Sequence, residues 1–176
     1  MTMLRTKTQS FRTLRNTAII AYATILLSSC GKIETTPAQP YDDGVIVING
    51  GNFFDNNGSL SLLQRNSKTV SLDIFMKENS RSFAGGITDY TEVDEKGIVL
   101  VDNSTDGKDA IEIVDAHTFK SIASIKGEID NPHKAVKAGS NKVYITCWDT
   151  FNTDYSYKTG FVAVVDLTTN KIIKKI

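Results

Sequence analysis

Val143-Tyr144-Ile145-Thr146, then a loop, then Phe161-Val162-Ala163-Val164-Val165-Asp166-Leu167-Thr168-Thr169-Asn170-Lys171-Ile172-Ile173 is the stretch whose reading decides the fold. An earlier stretch repeats it: Ile98-Val99-Leu100-Val101-Asp102, a loop, then Ile111-Glu112-Ile113-Val114-Asp115-Ala116-His117-Thr118-Phe119-Lys120-Ser121-Ile122. The fixed point is Asp-x-x-Thr, with Asp115 and Thr118 recurring as Asp166 and Thr169, 51 positions on. A further step back of 51 reaches Gln64 and Ser67, a polar version of the same turn behind Ser59-Leu60-Ser61-Leu62-Leu63. Repetition at a fixed period of this size marks a repeat architecture.

Each unit holds β-branched, apolar runs of four to six residues between polar turns. That spacing is strand, since no helical apolar period persists over three turns. The continuous runs 45–48, 98–101 and 162–165 require cover on both faces, which stacked sheets supply. Four strands are expected per unit. The first is short, near 88–90 and 134–137. The second covers 45–49, 98–102 and 143–147, the third 59–64, 111–115 and 161–166, and the fourth 70–75, 120–125 and 171–176. An Asp side chain in the last connection accepts backbone N–H groups two residues on. Four-stranded meanders at a period of roughly 40–50 residues predict an all-β chain of propeller blades. The blades are placed at about 45–80, 86–126 and 134–176. Three blades fall short of the roughly four to eight of a closed ring, and the first lacks an opening strand. The expectation is an incomplete ring, the N-terminal part of a larger propeller.

The Tyr144-Ile145-Thr146 segment, the Val-Val-Asp strand end and Thr169-Asn170-Lys171-Ile172-Ile173 together resemble the YVTN-type, YncE-like β-propeller repeat. Cys147 stands where that pattern has Asn. Asn49-Gly50-Gly51-Asn52-Phe53 and Asn57-Gly58-Ser59-Leu60-Ser61 resemble the first blade of the Bacteroidetes surface-lipoprotein branch, which usually has Glu in place of Gly50. The resemblance covers most of 43–176. It implies a surface propeller similar to those that capture cobalamin beside outer-membrane vitamin transporters.

The first 29 residues read as a lipoprotein signal peptide. Arg5, Lys7, Arg12 and Arg15 precede the apolar run 17–27, and Leu27-Ser28-Ser29-Cys30 looks like a lipobox. Cys30 is then the lipidated residue, and 30–44 is a flexible tether rich in Thr and Pro. This places the protein at the cell envelope as an outer-membrane lipoprotein, surface-exposed rather than periplasmic, with the membrane reached through the lipid anchor. The chain carries twenty basic and twenty acidic residues. Loss of the four leader cations leaves it acidic, with no basic stripe for nucleic acid. With Cys30 lipidated, Cys147 has no partner and reads as a small buried hydrophobe.

Meander parity puts the loops 50–58, 103–110 and 148–160 on one face. Asn52, Phe53, Asn103, Trp148, Asp149, Phe151 and Tyr155 are the candidate ligand-binding residues there, with Phe54, Asn152 and Tyr157 beside them and Phe83 and His133 joining from the connections between units. Long aromatic and amide-bearing loops on a rigid scaffold are where binding sites lie. Trp148 is the expected anchor, because it directly follows a strand and opens the longest loop. Catalysis finds little support: His117 and His133 fall on opposite faces, and no nucleophile elbow, phosphate loop or zinc spacing is present. No cofactor is expected. Asp102, Ser104 and Asp106, with Gly107, form a weak calcium candidate, since Ile113 occupies the position of the bidentate acid. The expected function is non-enzymatic capture of a small molecule, with a corrinoid implied by the resemblance. A protein-interaction scaffold of the envelope is the alternative, and a propeller enzyme the lesser one.

Overall fold

The structure is a computed structural model that describes residues 38–156 and 158–176. The signal peptide, Cys30 and the first part of the tether lie outside the described residues, as does Tyr157. The described residues are all-β apart from one short helix. Three separate antiparallel sheets follow one another along the sequence. The first joins β1 (Val45–Asn49), β2 (Ser59–Leu63) and β3 (Val70–Ser71). Helix α1 (Ile74–Asn79) follows. The second sheet is β4 (Gly86–Val93), β5 (Lys96–Asp102), β6 (Ala110–Asp115) and β7 (Ser121–Lys126). The third is β8 (Pro132–Lys137), β9 (Lys142–Cys147), β10 (Phe161–Asp166) and β11 (Lys171–Lys175). Both larger sheets are simple meanders, and no closed ring forms among the described residues.

Apolar burial fixes the middle sheet. Ile98 and Leu100 of β5 join Ile111 and Ile113 of β6 in a core shared with Val143, Ile145, Ala163 and Val165 of the third sheet. The intervening Val99, Val101, Ala110 and Val114 face the other way, into a core with Leu60, Leu62, Ile74, Phe75 and Phe119. Successive strand residues point to opposite faces, so a strand covered on both sides must be apolar throughout. The run 45–48 departs from this expectation. Ile46 packs inward, but Val45 and Val47 are exposed on the opposite face, and Ile48, on the same face as Ile46, is exposed as well.

The 51-residue repeat is visible in the turns. Asp115 Oδ1 accepts the N–H groups of His117 at 3.1 Å and Thr118 at 2.8 Å. Asp166 Oδ1 accepts those of Thr168 at 2.8 Å and Thr169 at 3.0 Å. Gln64 replaces the Asp: its Oε1 takes the hydroxyl of Ser67, while the backbone closes through Gln64 N–H to Thr69 O as Asp115 N–H closes to Lys120 O. Lys68, Phe119 and Asn170 each take the left-handed conformation, with φ of 55°, 56° and 53°.

Several local expectations are corrected. The strand expected over 70–75 stops at Ser71, because Asp73 caps a helix by accepting the N–H of Met76 at 3.2 Å, and Phe75 stacks on Phe83 at 4.0 Å between ring centroids. The opening strands are longer than expected. β4 reaches Val93 through polar residues and turns at Asp94-Glu95, both at positive φ as a tight hairpin requires. The described end of the tether, 38–44, is docked. Tyr41 is buried, meets the Phe119 ring edge-on at 5.1 Å and donates its N–H to His117 O, while Asp42 pairs with His117 Nδ1 at 2.6 Å. In the loop 50–58, Asn56 takes positive φ, at 51°, and Gly58 does not. Gly58 is needed because a Cβ there would stand 2.5 Å from the backbone N of Ile87.

Candidate functional site

The three long loops converge. Gly58 N–H donates to Gly85 O at 3.0 Å, and Ile87 N–H to Gly50 O at 3.1 Å, so loop 50–58 is stitched to the start of β4. Asn56 reaches across to Ser104 with its whole amide, Oδ1 accepting the backbone N–H and Nδ2 donating to Oγ, each at 2.9 Å. Asp109 ties the next joint. Its Oδ1 accepts Asn103 N–H at 2.6 Å and its Oδ2 accepts Asn131 N–H at 2.7 Å. Asn131 in turn accepts the N–H of Trp148 at its carbonyl and donates Nδ2 to Asp149 O at 2.7 Å. These bonds run in series from the first sheet's loop to the third's.

They enclose a cleft of about 370 Å³. Phe53 and Phe54 line it from the first loop, Asn103, Ser104, Asp106 and Gly107 from the second, and Thr150, Phe151 and Tyr155 from the third. Asp109, Asp130 and Asn131 complete the lining. Phe53 and Phe54 meet edge-on at 5.3 Å, and Phe54 and Tyr155 are 81% and 85% exposed. Large rings left open to water in this way are unusual outside interaction sites.

The expected residues divide. Phe53, Asn103, Phe151 and Tyr155 line the cleft. Asn52 serves its own loop, with Oδ1 accepting Phe54 N–H at 3.0 Å. Asp149 stands at φ 65° and its Oδ1 accepts Thr150 N–H at 2.6 Å, so it shapes the loop and does not line the cleft. Trp148, the expected anchor, lies outside the lining, half exposed, with its ring 4.5 Å from that of His133. His133 is the second residue of β8 and not a loop residue. Phe83 is buried against Phe75. Sequence reading passed over Asp130, Asn131 and Thr150 and considered Asp109 only as a substitute calcium ligand in a shorter loop; the available signal was an acid directly ahead of an apolar strand, as Asp109 precedes β6.

Electrostatics are one-sided. Burial pushes the Asp109 carboxyl up, opposed by the two N–H bonds and reinforced by the fields of Asp130 and Asp106. Asp102, the last residue of β5, is pushed up to about 6, first by burial and then by Asp109. Its Oδ1 is buried without a hydrogen-bond partner among the described residues. Ser104 of the weak calcium candidate is engaged by Asn56, and among the described residues no group of three or more His, Cys, Asp or Glu is placed to hold a metal. Cys147 is buried at the end of β9, and burial pushes its thiol up to about 12, so it packs as a small hydrophobe.

Other cavities lie elsewhere among the described residues. One of about 230 Å³ lies by Arg81, whose guanidinium bonds the buried Glu112 at 2.6 Å. Another of about 340 Å³ lies by Tyr41, Tyr90 and His117. Each is smaller than the loop cleft. No protein-family model matches the chain, and no curated protein is found to match it.

Proposed function

We propose that this protein is a binding module that captures a small molecule in the cleft between its three long loops. The observation that carries the reading is the cleft itself: exposed rings from two loops, hydrogen-bonding amides among its lining, and a sheet behind each loop. Preformed, largely apolar clefts with a few placed polar groups are the usual form of a small-molecule site. In this reading the sheets are blades of a β-propeller, supported by the 51-residue turn repeat and by the packing of the middle sheet on both faces. The YVTN-type resemblance and the Leu27-Ser28-Ser29-Cys30 motif support a lipid-anchored envelope protein, similar to surface propellers that hand a ligand to an outer-membrane transporter. A corrinoid is the ligand the resemblance implies. At about 370 Å³ the cleft sits near the lower end of the ~300–1,000 Å³ range for small-molecule sites, so a macrocycle would lie across the mouth with one edge inside.

Saturation-transfer NMR with a library of small amines, aromatic acids, sugars and cyanocobalamin tests this reading, run on the wild type and on Phe151→Ala. Ligands that bind the wild type and are lost in the variant are expected. Hits that Phe151→Ala leaves untouched, or an empty screen, would overturn it. Release of the protein from the membrane fraction by Cys30→Ser is the parallel expectation for the anchor, and unchanged membrane association would contradict it.

A further inference from the structure

Resting on the reading of the loop cleft as a ligand site, we infer that its ligand is a small organic cation, with the charged group entering between the rings and the carboxylates. Three carboxylates, Asp106, Asp109 and Asp130, line the cleft, and the lining contains no Lys, Arg or His. Among the described residues none of the three forms an ion pair. Asp109 feels the other two as repulsion, which a bound cation would relieve. Aromatic walls favour the same charge, because the face of a ring attracts an ammonium within roughly 6 Å, and more strongly once the pair leaves water. An anion would meet three like charges at short range. The Lys158 ammonium is held at the edge, donating to Thr150 Oγ1 at 2.7 Å, and Lys108, next to Asp109 in sequence, lines a different cavity. The cleft has room for a ring and a short amine arm together.

Three probes with the same ring and different charge test the inference: phenethylammonium, 2-phenylethanol and phenylacetate, each titrated by calorimetry. Phenethylammonium is expected to bind about tenfold tighter than 2-phenylethanol, with phenylacetate weakest. The double variant Asp106→Asn, Asp130→Asn should remove that tenfold preference, read as the ratio of the two affinities measured on the variant itself. Asp109 is avoided because its loss would release two backbone N–H groups. Equal binding of the alcohol and the amine, both weakened by Phe151→Ala, would overturn the cation class and keep the cleft as a binding site. An undiminished preference in the double variant would also overturn the cation class. Failure of all three probes to bind would reject both the class and the cleft.

Discussion

Asn56 and Ser104 are joined twice, with the Asn56 amide accepting the Ser104 N–H and donating to its hydroxyl, each at 2.9 Å. The pair links the loop of the first sheet to that of the second, at the edge of the cleft. Asn56→Ala leaves a backbone N–H without its partner, and should cost roughly 1–2 kcal/mol of stability. Amide hydrogen exchange at Ser104 should accelerate while Asn131, held by Asp109, keeps its protection. Unchanged exchange at Ser104 would show that the pair does not fix the loop.

Asp102 makes stability depend on pH in an unusual direction. Its carboxyl is raised to about 6 in the folded chain, above its ordinary value of 3.8. A raised carboxyl binds its proton more tightly when folded, so its contribution is full below about pH 4 and is lost as pH rises through 6. Asp102→Asn should therefore raise the melting temperature at pH 7 and leave it nearly unchanged at pH 4. A variant less stable than wild type at pH 7 would contradict this account.

Asp115 behaves in the opposite sense. Burial pushes its carboxyl up, but the hydroxyl and N–H of Thr118 and the N–H of His117 outweigh that and leave it lowered. Its contribution is present above pH 4 and disappears as pH falls through its folded value. Asp115→Ala should cost roughly 1–2 kcal/mol at neutral pH, and thermal melts at pH 7 and pH 3 should show the difference shrinking. Asp166→Ala, at the equivalent and more exposed turn, should act in the same direction with a smaller effect. A cost for Asp115→Ala that is the same at pH 3 as at pH 7 would reject the turn as the cause.

The sheets were legible because the apolar runs of β5, β6 and β10 have strand length and recur with the Asp-x-x-Thr turn. β4 was only partly legible, since Thr88, Asp89, Thr91 and Glu92 are polar and look like loop, although Thr88 and Asp89 carry contacts to the third sheet. Asp89, for example, accepts Lys134 Nζ at 3.0 Å and Ala135 N–H at 2.9 Å. Helix α1 was hidden because one and a half turns cannot establish a period. At the site, loop parity was enough to place Phe53, Phe151 and Tyr155 on one cleft. Parity does not say which way a side chain turns: the position of Trp148 directly after a strand suggested an anchor, while its ring lies against His133 and outside the cleft lining.

The outer sheet faces predict self-association. Val45, Leu63 and Val70 form one cross-strand row on the first sheet, at 53%, 38% and 54% exposure. Val136 and Tyr144 form another on the third. Apolar rows of this kind at exposed sheet faces are association surfaces. Light scattering should show concentration-dependent growth of the wild type, suppressed by Val45→Lys with Val136→Lys. A strictly monomeric wild type would contradict the prediction.

Phe151 and Trp148 offer the most direct test of the account, because they sit in one loop and only Phe151 lines the cleft. The measurement is calorimetric titration of phenethylammonium into wild type, Phe151→Ala and Trp148→Ala, with a thermal melt of each sample. Phe151→Ala should lose roughly tenfold or more in affinity with little change in melting, and Trp148→Ala should retain the affinity. Full affinity in Phe151→Ala, or a loss confined to Trp148→Ala, would place the ligand elsewhere and contradict the cleft as the site.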